Sequence, residues 1–164
     1  MFNIRIGYGY DSHRFAAGRP LVLGGVAFPG ETGLLGHSDA DVLIHAVIDA
    51  LLGAAALGDI GSHFPDTDEK WRGADSTKLL TAVVDEISAV GWRVGNLDVT
   101  VICERPKLRP KVDAIRARLA ELLGVSIGEV SVKGKTNEKM DDVGAGVGVV
   151  VHAAALLFLK GTKE

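Results

Sequence analysis

Gly33-Leu34-Leu35-Gly36-His37-Ser38-Asp39-Ala40-Asp41-Val42-Leu43-Ile44-His45 is a glycine-punctuated loop running into a helix that carries a histidine in its first turns. Ser38 is a favourable N-cap, and Asp41 three residues on supplies the carboxylate of a capping-box variant. From Val42 to Leu57 there is no proline and the apolar residues are Val, Leu, Ile and Ala, which predicts a buried helix closed by Leu57-Gly58. On the helical period Ser38, Asp41, His45 and Asp49 fall along one stripe, so a polar line descends one side of an otherwise apolar helix. A polar line in an apolar setting requires a partner.

The nearest candidate is Asp11-Ser12-His13, which follows the strand-like run Ile4-Arg5-Ile6-Gly7-Tyr8-Gly9-Tyr10. In an extended chain Asp11 and His13 point to the same face, about two residues' rise apart, and can converge on one point. With His45 they make one carboxylate and two imidazoles, a three-ligand zinc set with a fourth position open, as expected of a catalytic rather than a structural site. Asp41, one turn before His45, is placed to orient the second ring nitrogen. The same residues also allow a plainer arrangement, in which His13 caps a turn and His45 is a hydrogen-bonded core histidine, because Asp-x-His is a common spacing.

A chain of 164 residues and 17.2 kDa is expected to form a single domain over 1–164 with a core large enough to fold without staples. Its 21 glycines predict tight turns and close backbone approaches. The net charge of −3, with no long basic run, argues against nucleic acid or an anionic membrane as partner. An anionic substrate would then need help from a metal or from helix ends. The single Cys103 excludes an internal disulfide and fits a reducing compartment. Met1-Phe2-Asn3 shows no targeting segment and no apolar run is of membrane-spanning length, so the expectation is a soluble, cytoplasmic protein.

Along the chain, Pro20-Leu21-Val22-Leu23-Gly24-Gly25-Val26-Ala27-Phe28-Pro29 reads as a small hairpin broken at Gly24-Gly25 and lying at a sheet edge. Asp59 to Asp68 is a long polar loop of the functional kind. A second helix runs from an N-cap at Ser76 to Val90, with Leu79, Leu80, Val83, Val84 and Ile87 inward and Gly91 as its stop. Leu97 to Cys103 is a strand, Glu104-Arg105-Pro106-Lys107 breaks it, and a helix from about Pro110 to Leu123 is stopped by Gly124. Val130-Ser131-Val132-Lys133 is a short strand, and Val147 to Leu157 reads as a last strand buried on both faces. The result is an α+β fold, a mixed four-stranded sheet plus a small hairpin, with helices on one face. The other face must be covered, which predicts a homo-oligomer.

Two apparent nucleotide motifs fail. A P-loop ending at Gly134-Lys135-Thr136 would put its first glycine at Glu129, and Gly144-Ala145-Gly146-Val147-Gly148 lacks the spacing and the following helix of a dinucleotide fingerprint. Thr136-Asn137-Glu138-Lys139 is either a solvated turn or a phosphate or hard-cation site with Glu138 as an oxygen ligand.

Taken together, Gly9-Tyr10-Asp11-Ser12-His13, Leu23-Gly24-Gly25-Val26, Gly36-His37-Ser38-Asp39-Ala40-Asp41 with His45, Leu57-Gly58-Asp59-Ile60-Gly61, Phe64-Pro65-Asp66-Thr67-Asp68 and Lys135-Thr136-Asn137-Glu138 closely resemble the 2-C-methyl-D-erythritol 2,4-cyclodiphosphate synthase family, in order and over nearly the whole chain. The resemblance implies a lyase of non-mevalonate isoprene biosynthesis that converts 4-diphosphocytidyl-2-C-methyl-D-erythritol 2-phosphate to the 2,4-cyclodiphosphate and releases CMP. It implies a homotrimer, with the bare sheet face buried and active sites between subunits. By position, Asp11, His13 and His45 match the ligands of one zinc, or another divalent transition metal, per subunit. Glu138 matches the residue holding magnesium or manganese on the substrate diphosphate. Asp11, His13, His37, Ser38, Asp59, Ile60, Gly61, Phe64, Pro65, Asp66, Thr67 and Asp68 match substrate-binding positions. Cys103, Glu104, Arg105, Pro106, Lys107, Leu108, Arg109, Gly134, Lys135 and Thr136 match the nucleotide-binding ones, and His37 with Thr136 the pair that stabilises the transition state.

The chain departs from the family in one place. Members usually carry Gly-Phe-x-Gly-Arg-Gly-Glu after the Glu138 cluster, whereas here Asp141-Asp142-Val143-Gly144-Ala145-Gly146-Val147 stands, with Ala145 and Val147 where Arg and Glu are usual. The expectation is a trimer cavity that is more apolar and lacks the anion-binding arginine. Two other readings stay open on the residues alone: a metal-dependent phosphodiesterase or pyrophosphatase that activates water, and a non-catalytic trimeric nucleotide-binding or scaffold protein whose histidines are structural.

Overall fold

The structure, a computed structural model, describes residues 3–161. The first strand, β1 (Ile4–Ala16), continues past Tyr10, so Asp11, Ser12 and His13 lie inside it and not after it. Strands β2 (Val22–Leu23) and β3 (Val26–Ala27) close the expected hairpin, which stands apart as its own two-stranded sheet and not at a sheet edge. That edge is taken by β4 (Gly33–Leu34), paired with the end of β1. Then follow α1 (Val42–Ala55), the single turn α2 (Ile60–His63) inside the segment read as loop, and α3 (Ser76–Ala89). Strand β5 (Trp92–Ile102), α4 (Val112–Leu123), β6 (Val130–Lys135), the short α5 (Asp141–Gly144) and β7 (Gly148–Leu159) complete the chain.

The main sheet is five-stranded, in the order β4-β1-β7-β5-β6. It has one strand more than the sequence predicts, because the two residues of β4 are too few to leave a pattern. β7 runs antiparallel to both β1 and β5, while β5 and β6 are parallel and joined through α4. Helix α1 packs on β1 and β7, α3 on β5 and α4 on β6, so the helices lie on one face as expected.

Helix α1 is almost wholly buried because the sheet lies on one side of it and α3 on the other. Its approach to β1 is set by glycine. A Cβ on Gly7 would lie 1.9 Å from the Ala50 carbonyl oxygen, and one on Gly9 would lie 1.9 Å from that of Ala46. With glycine on the strand and alanine on the helix, the two backbones touch, and His45 is carried to the level of Asp11 and His13.

Three local expectations are corrected. Asp41, not Ser38, is the N-cap of α1: its carboxylate accepts from Ile44 N at 3.1 Å and also from Gly24 N at 2.9 Å and Gly25 N at 2.7 Å, tying the hairpin to the helix. The helix closes on Ala56 in the left-handed region, φ 59°, before Gly58 is reached. In α3 the cap is Asp75, one residue ahead of Ser76. The stop of α4 at Gly124 is as expected.

Burial pushes the Asp41 carboxyl up to about 6 in spite of its three N–H donors. Folding therefore favours the protonated form. The resulting stabilisation is complete below about pH 4 and is lost as pH rises through 6, by up to about 3 kcal/mol. Urea unfolding from pH 4 to 7 should show this decline in the parent protein and not in Asp41→Asn.

Strand β7 alternates within the single chain. Val149, Val151, Ala153, Ala155 and Leu157 are buried under the helices, while Val150, His152, Leu156 and Phe158 are only half-buried and Ala154 is exposed. Burial on both faces thus does not hold for one chain. Beside this second face stand Ile6 (74% exposed), Tyr8 (62%) and Tyr10 (50%) of β1. Among the described residues no helix is long and apolar enough to cross a membrane.

Candidate metal centre and substrate cavity

Asp11 and His13 are two apart on β1 and so point to the same side, toward α1, where His45 sits in the first turn. Asp11 Oδ2 lies 2.9 Å from His13 Nε2 and 3.1 Å from His45 Nδ1, and the two ring nitrogens are 3.3 Å apart. Among the described residues these three form a group able to hold one ion. Ligands bound to zinc at tetrahedral angles sit about 3.3 Å from one another. The observed separations match that spacing, so the donor set fits such an ion.

The electrostatics agree. Burial alone would raise the Asp11 carboxyl, but hydrogen bonds from His13 and His45 outweigh it and hold it at about 2. Burial works against a charged His13, yet the hydrogen bond and charge of Asp11 raise it above the usual histidine value. His13 Nδ1 donates to the Leu35 carbonyl at 2.5 Å, so Nε2 is the ring nitrogen turned to Asp11 and His45 and the one free to ligate an ion once it is unprotonated.

On His45 the outer partner is not Asp41, whose oxygens are taken by Gly24, Gly25 and Ile44. Nε2 meets Ser38 Oγ at 3.1 Å and Ser76 Oγ at 3.0 Å instead. Ser76, by its sequence context an ordinary helix N-cap, is thus a residue of the site. The lower end of the polar stripe, Asp49, accepts from Ile60 N at 2.8 Å and so anchors α2 against α1.

The triad opens into a cavity of about 420 Å³ that also receives His37, Ser38, Ile60, Gly61, Phe64, Pro65 and Asp66, together with Trp71 and Leu79. Most of the residues expected to hold substrate are thereby gathered around one space of ligand size. Asp59, Thr67 and Asp68 do not line it. Asp59 caps α2 through Ser62, and Asp68 caps the 3-10 turn Glu69–Trp71. The Asp68 carbonyl also accepts from His37 Nε2 at 3.1 Å.

The nucleotide-binding candidates gather elsewhere. Cys103, Pro106, Lys107, Leu108, Arg109, Gly134, Lys135 and Thr136 surround a second cavity of about 500 Å³, completed by Val112 and Asp113. It shares no lining residue with the first. Asp11 and Gly134 stand in one row of the sheet, Asp11-Val151-Val101-Gly134, three strand spacings or about 14 Å apart. Thr136 Oγ1 donates to Glu138 Oε1 at 3.0 Å, at the edge of a turn in which Glu138, Lys139 and Asp141 all take left-handed φ. Such strained turns concentrate at functional sites. Glu104 braces this one, its carboxylate accepting from Asn137 N at 3.2 Å and Lys139 N at 3.4 Å. Glu104 and Arg105 face a third cavity of about 660 Å³ together with Lys107, Lys139, Ala145 and Gly146. Ala145 thus shares this cavity with Arg105, Lys107 and Lys139 as well as with the carboxylate of Glu104.

Residues 4–158 match the profile of the YgbB family. The chain belongs to the YgbB family. A 2-C-methyl-D-erythritol 2,4-cyclodiphosphate synthase from Synechococcus is 56% identical over 154 residues, which is 94% of this chain and 98% of that protein. The bifunctional enzyme IspD/IspF of Anaeromyxobacter is 57% identical over 94% of this chain, but the chain spans only 40% of that protein's length. Among solved structures, the CDP complex of Plasmodium falciparum IspF is 33% identical and superposes with a TM-score of 0.86, over 98% of this chain and 100% of that one. The mixed sheet with helices on one face is thus the YgbB fold, and the triad lies within the matched residues.

Proposed function

We infer that this chain is a 2-C-methyl-D-erythritol 2,4-cyclodiphosphate synthase, taking 4-diphosphocytidyl-2-C-methyl-D-erythritol 2-phosphate to the cyclic diphosphate and CMP. The observation that carries the reading is the convergence of Asp11, His13 and His45 at one wall of the 420 Å³ cavity, in a chain 56% identical to such a synthase.

The nucleophile is the 2-phosphate of the substrate, already ionised, so no activated serine or cysteine is required. Its oxygen forms a bond to the β-phosphorus as the bond from that phosphorus to the bridging oxygen breaks, and the electron pair leaves with CMP. The work left to the protein is to fold a flexible polyanion into line, which can supply on the order of 7 to 11 kcal/mol. Phe64, Pro65 and Trp71 wall the methylerythritol side of the cavity, and the ring edge of Trp71 packs on Phe64 at 4.9 Å between centroids. His37, tied to the Asp68 carbonyl, and the Thr136 hydroxyl supply polar contacts where charge develops. Zinc or another divalent ion on Asp11, His13 and His45, with magnesium or manganese on Glu138, would neutralise phosphate charge. Glu138 is exposed and offers one carboxylate, which suits an ion whose other ligands come from substrate and water.

The reading includes a homotrimer in which the nucleotide cavity of one subunit serves the metal cavity of its neighbour, and a cytoplasmic location. The separate linings of the two cavities and the bare face of Ile6, Tyr8 and Tyr10 support the assembly. Light scattering should return about three times the 17.2 kDa of the chain; a monomer would refute the shared site. Phosphorus NMR of the products tests the reaction. A cyclic diphosphate with CMP supports it, whereas open-chain phosphates would assign the cavity to a phosphodiesterase or pyrophosphatase, and no turnover to a binding protein.

A further inference from the structure

His45 faces the centre with Nδ1, so it can serve an ion only as the neutral tautomer that keeps its proton on Nε2. Nε2 meets two hydroxyls, Ser38 Oγ and Ser76 Oγ. A hydroxyl can donate or accept, and a pair of them would leave the position of the proton open.

Ser76 differs because its own proton is committed. Its Oγ lies 2.5 Å from Asp39 Oδ1, and a carboxylate can only accept. Asp39 is fixed in turn, its second oxygen accepting from Ser76 N at 3.0 Å and its first from Asp41 N at 3.1 Å. Ser76 is fully buried and His45 is 8% exposed, which keeps water from substituting for either partner. With its hydrogen turned to Asp39, Ser76 presents a lone pair to His45, and only an N–H can satisfy it.

We propose that Asp39 and Ser76 form a relay that sets the tautomer of the metal-holding His45, with Nε2–H donating to Ser76 and Nδ1 left as the ligand atom beside Asp11 and His13. Both are positioning residues: they act through His45 and touch neither the ion nor the substrate. The relay acts on the metal-holding state and rests on the metal reading above, because without an ion Asp11 Oδ2, 3.1 Å from Nδ1, draws a proton to that nitrogen as well.

Nitrogen-15 NMR of labelled histidines in the zinc-loaded parent reads which ring nitrogen of His45 keeps its proton. Zinc affinity by competition with a chelator is measured beside it for the parent, Ser76→Ala and Ser76→Thr. The parent should show His45 as the Nε2–H form alone. Ser76→Ala should show a mixture and bind zinc 10- to 100-fold more weakly, about the loss seen when an outer partner of a ligating histidine is removed, while Ser76→Thr retains both properties. A parent spectrum with the proton on Nδ1 overturns the relay whether or not any variant folds. So does a folded Ser76→Ala that keeps the pure tautomer and binds zinc within twofold of the parent. If the parent binds no zinc, the metal reading fails and the relay with it; if it binds zinc and only the Ser76→Ala outcomes fail, the relay alone is overturned.

Discussion

Asn at position 11 or Ala at position 45 is expected to lower kcat/KM for cyclisation by on the order of a thousandfold, about 4 kcal/mol, and to leave the purified protein with less than one zinc per chain. The two substitutions reach this result by different routes. Asp11 has its carboxyl held at about 2 against the effect of burial, so it is ionised throughout the working range, and Asn keeps its size and an acceptor oxygen but not the charge that makes a carboxylate a strong ligand. His45→Ala removes a donor atom and also leaves Asp11 and the Ser38 and Ser76 hydroxyls without a partner on that side. Asp11→Asn is the cleaner test because a neutral amide of the same shape disturbs packing least. Steady-state kinetics with metal analysis of the same samples measures both effects, and wild-type turnover with full zinc in either variant would contradict the assignment.

Alanine at Gly9 is expected to be among the most damaging one-methyl changes at the described residues, destabilising by more than about 3 kcal/mol and carrying metal binding down with it. The added carbon would stand 1.9 Å from the Ala46 carbonyl oxygen and 2.6 Å from Ala50 N, both backbone atoms of α1 that no rotamer change can move aside. The helix must shift away from β1, and His45, one residue before Ala46, must shift with it. Gly7→Ala meets the same helix at Ala50 and Ala54 one turn on and should destabilise comparably. By contrast Gly18, with nothing near its missing Cβ, sits in an exposed turn where alanine meets only the strain of its φ of 80°. Denaturant midpoints of the three variants, with zinc content alongside, should separate Gly7 and Gly9 from Gly18; equal midpoints would show that the helix does not rest on the strand backbone.

Sequence patterns reach as far as local periodicity carries. Asp11 and His13 share a side because β1 alternates, and His45 meets them because the helix begins just before it, so the triad is legible once strand and helix are recognised. The cap of α1 is not. Ser38 has the better local signature, but the Gly24 and Gly25 amides arrive from a distant hairpin and claim Asp41, releasing Ser38 to turn toward His45. For the same reason the Asp39–Ser76 pair is invisible in a linear reading: 37 residues separate the partners, and each looks like an ordinary cap. The glycines at 7 and 9 announce a close approach without saying to what. The relation of the nucleotide cavity to the metal cavity lies beyond one chain's pattern altogether, because the two are built on different strands and the proposal brings them together only in the oligomer.

Anomalous diffraction at the zinc absorption edge, from crystals of the full chain grown with zinc, tests the centre most directly. One strong peak per subunit is expected, bonded at once to Asp11 Oδ2, His13 Nε2 and His45 Nδ1. A peak bonded to other side chains, or none at full zinc occupancy of the solution, would contradict it.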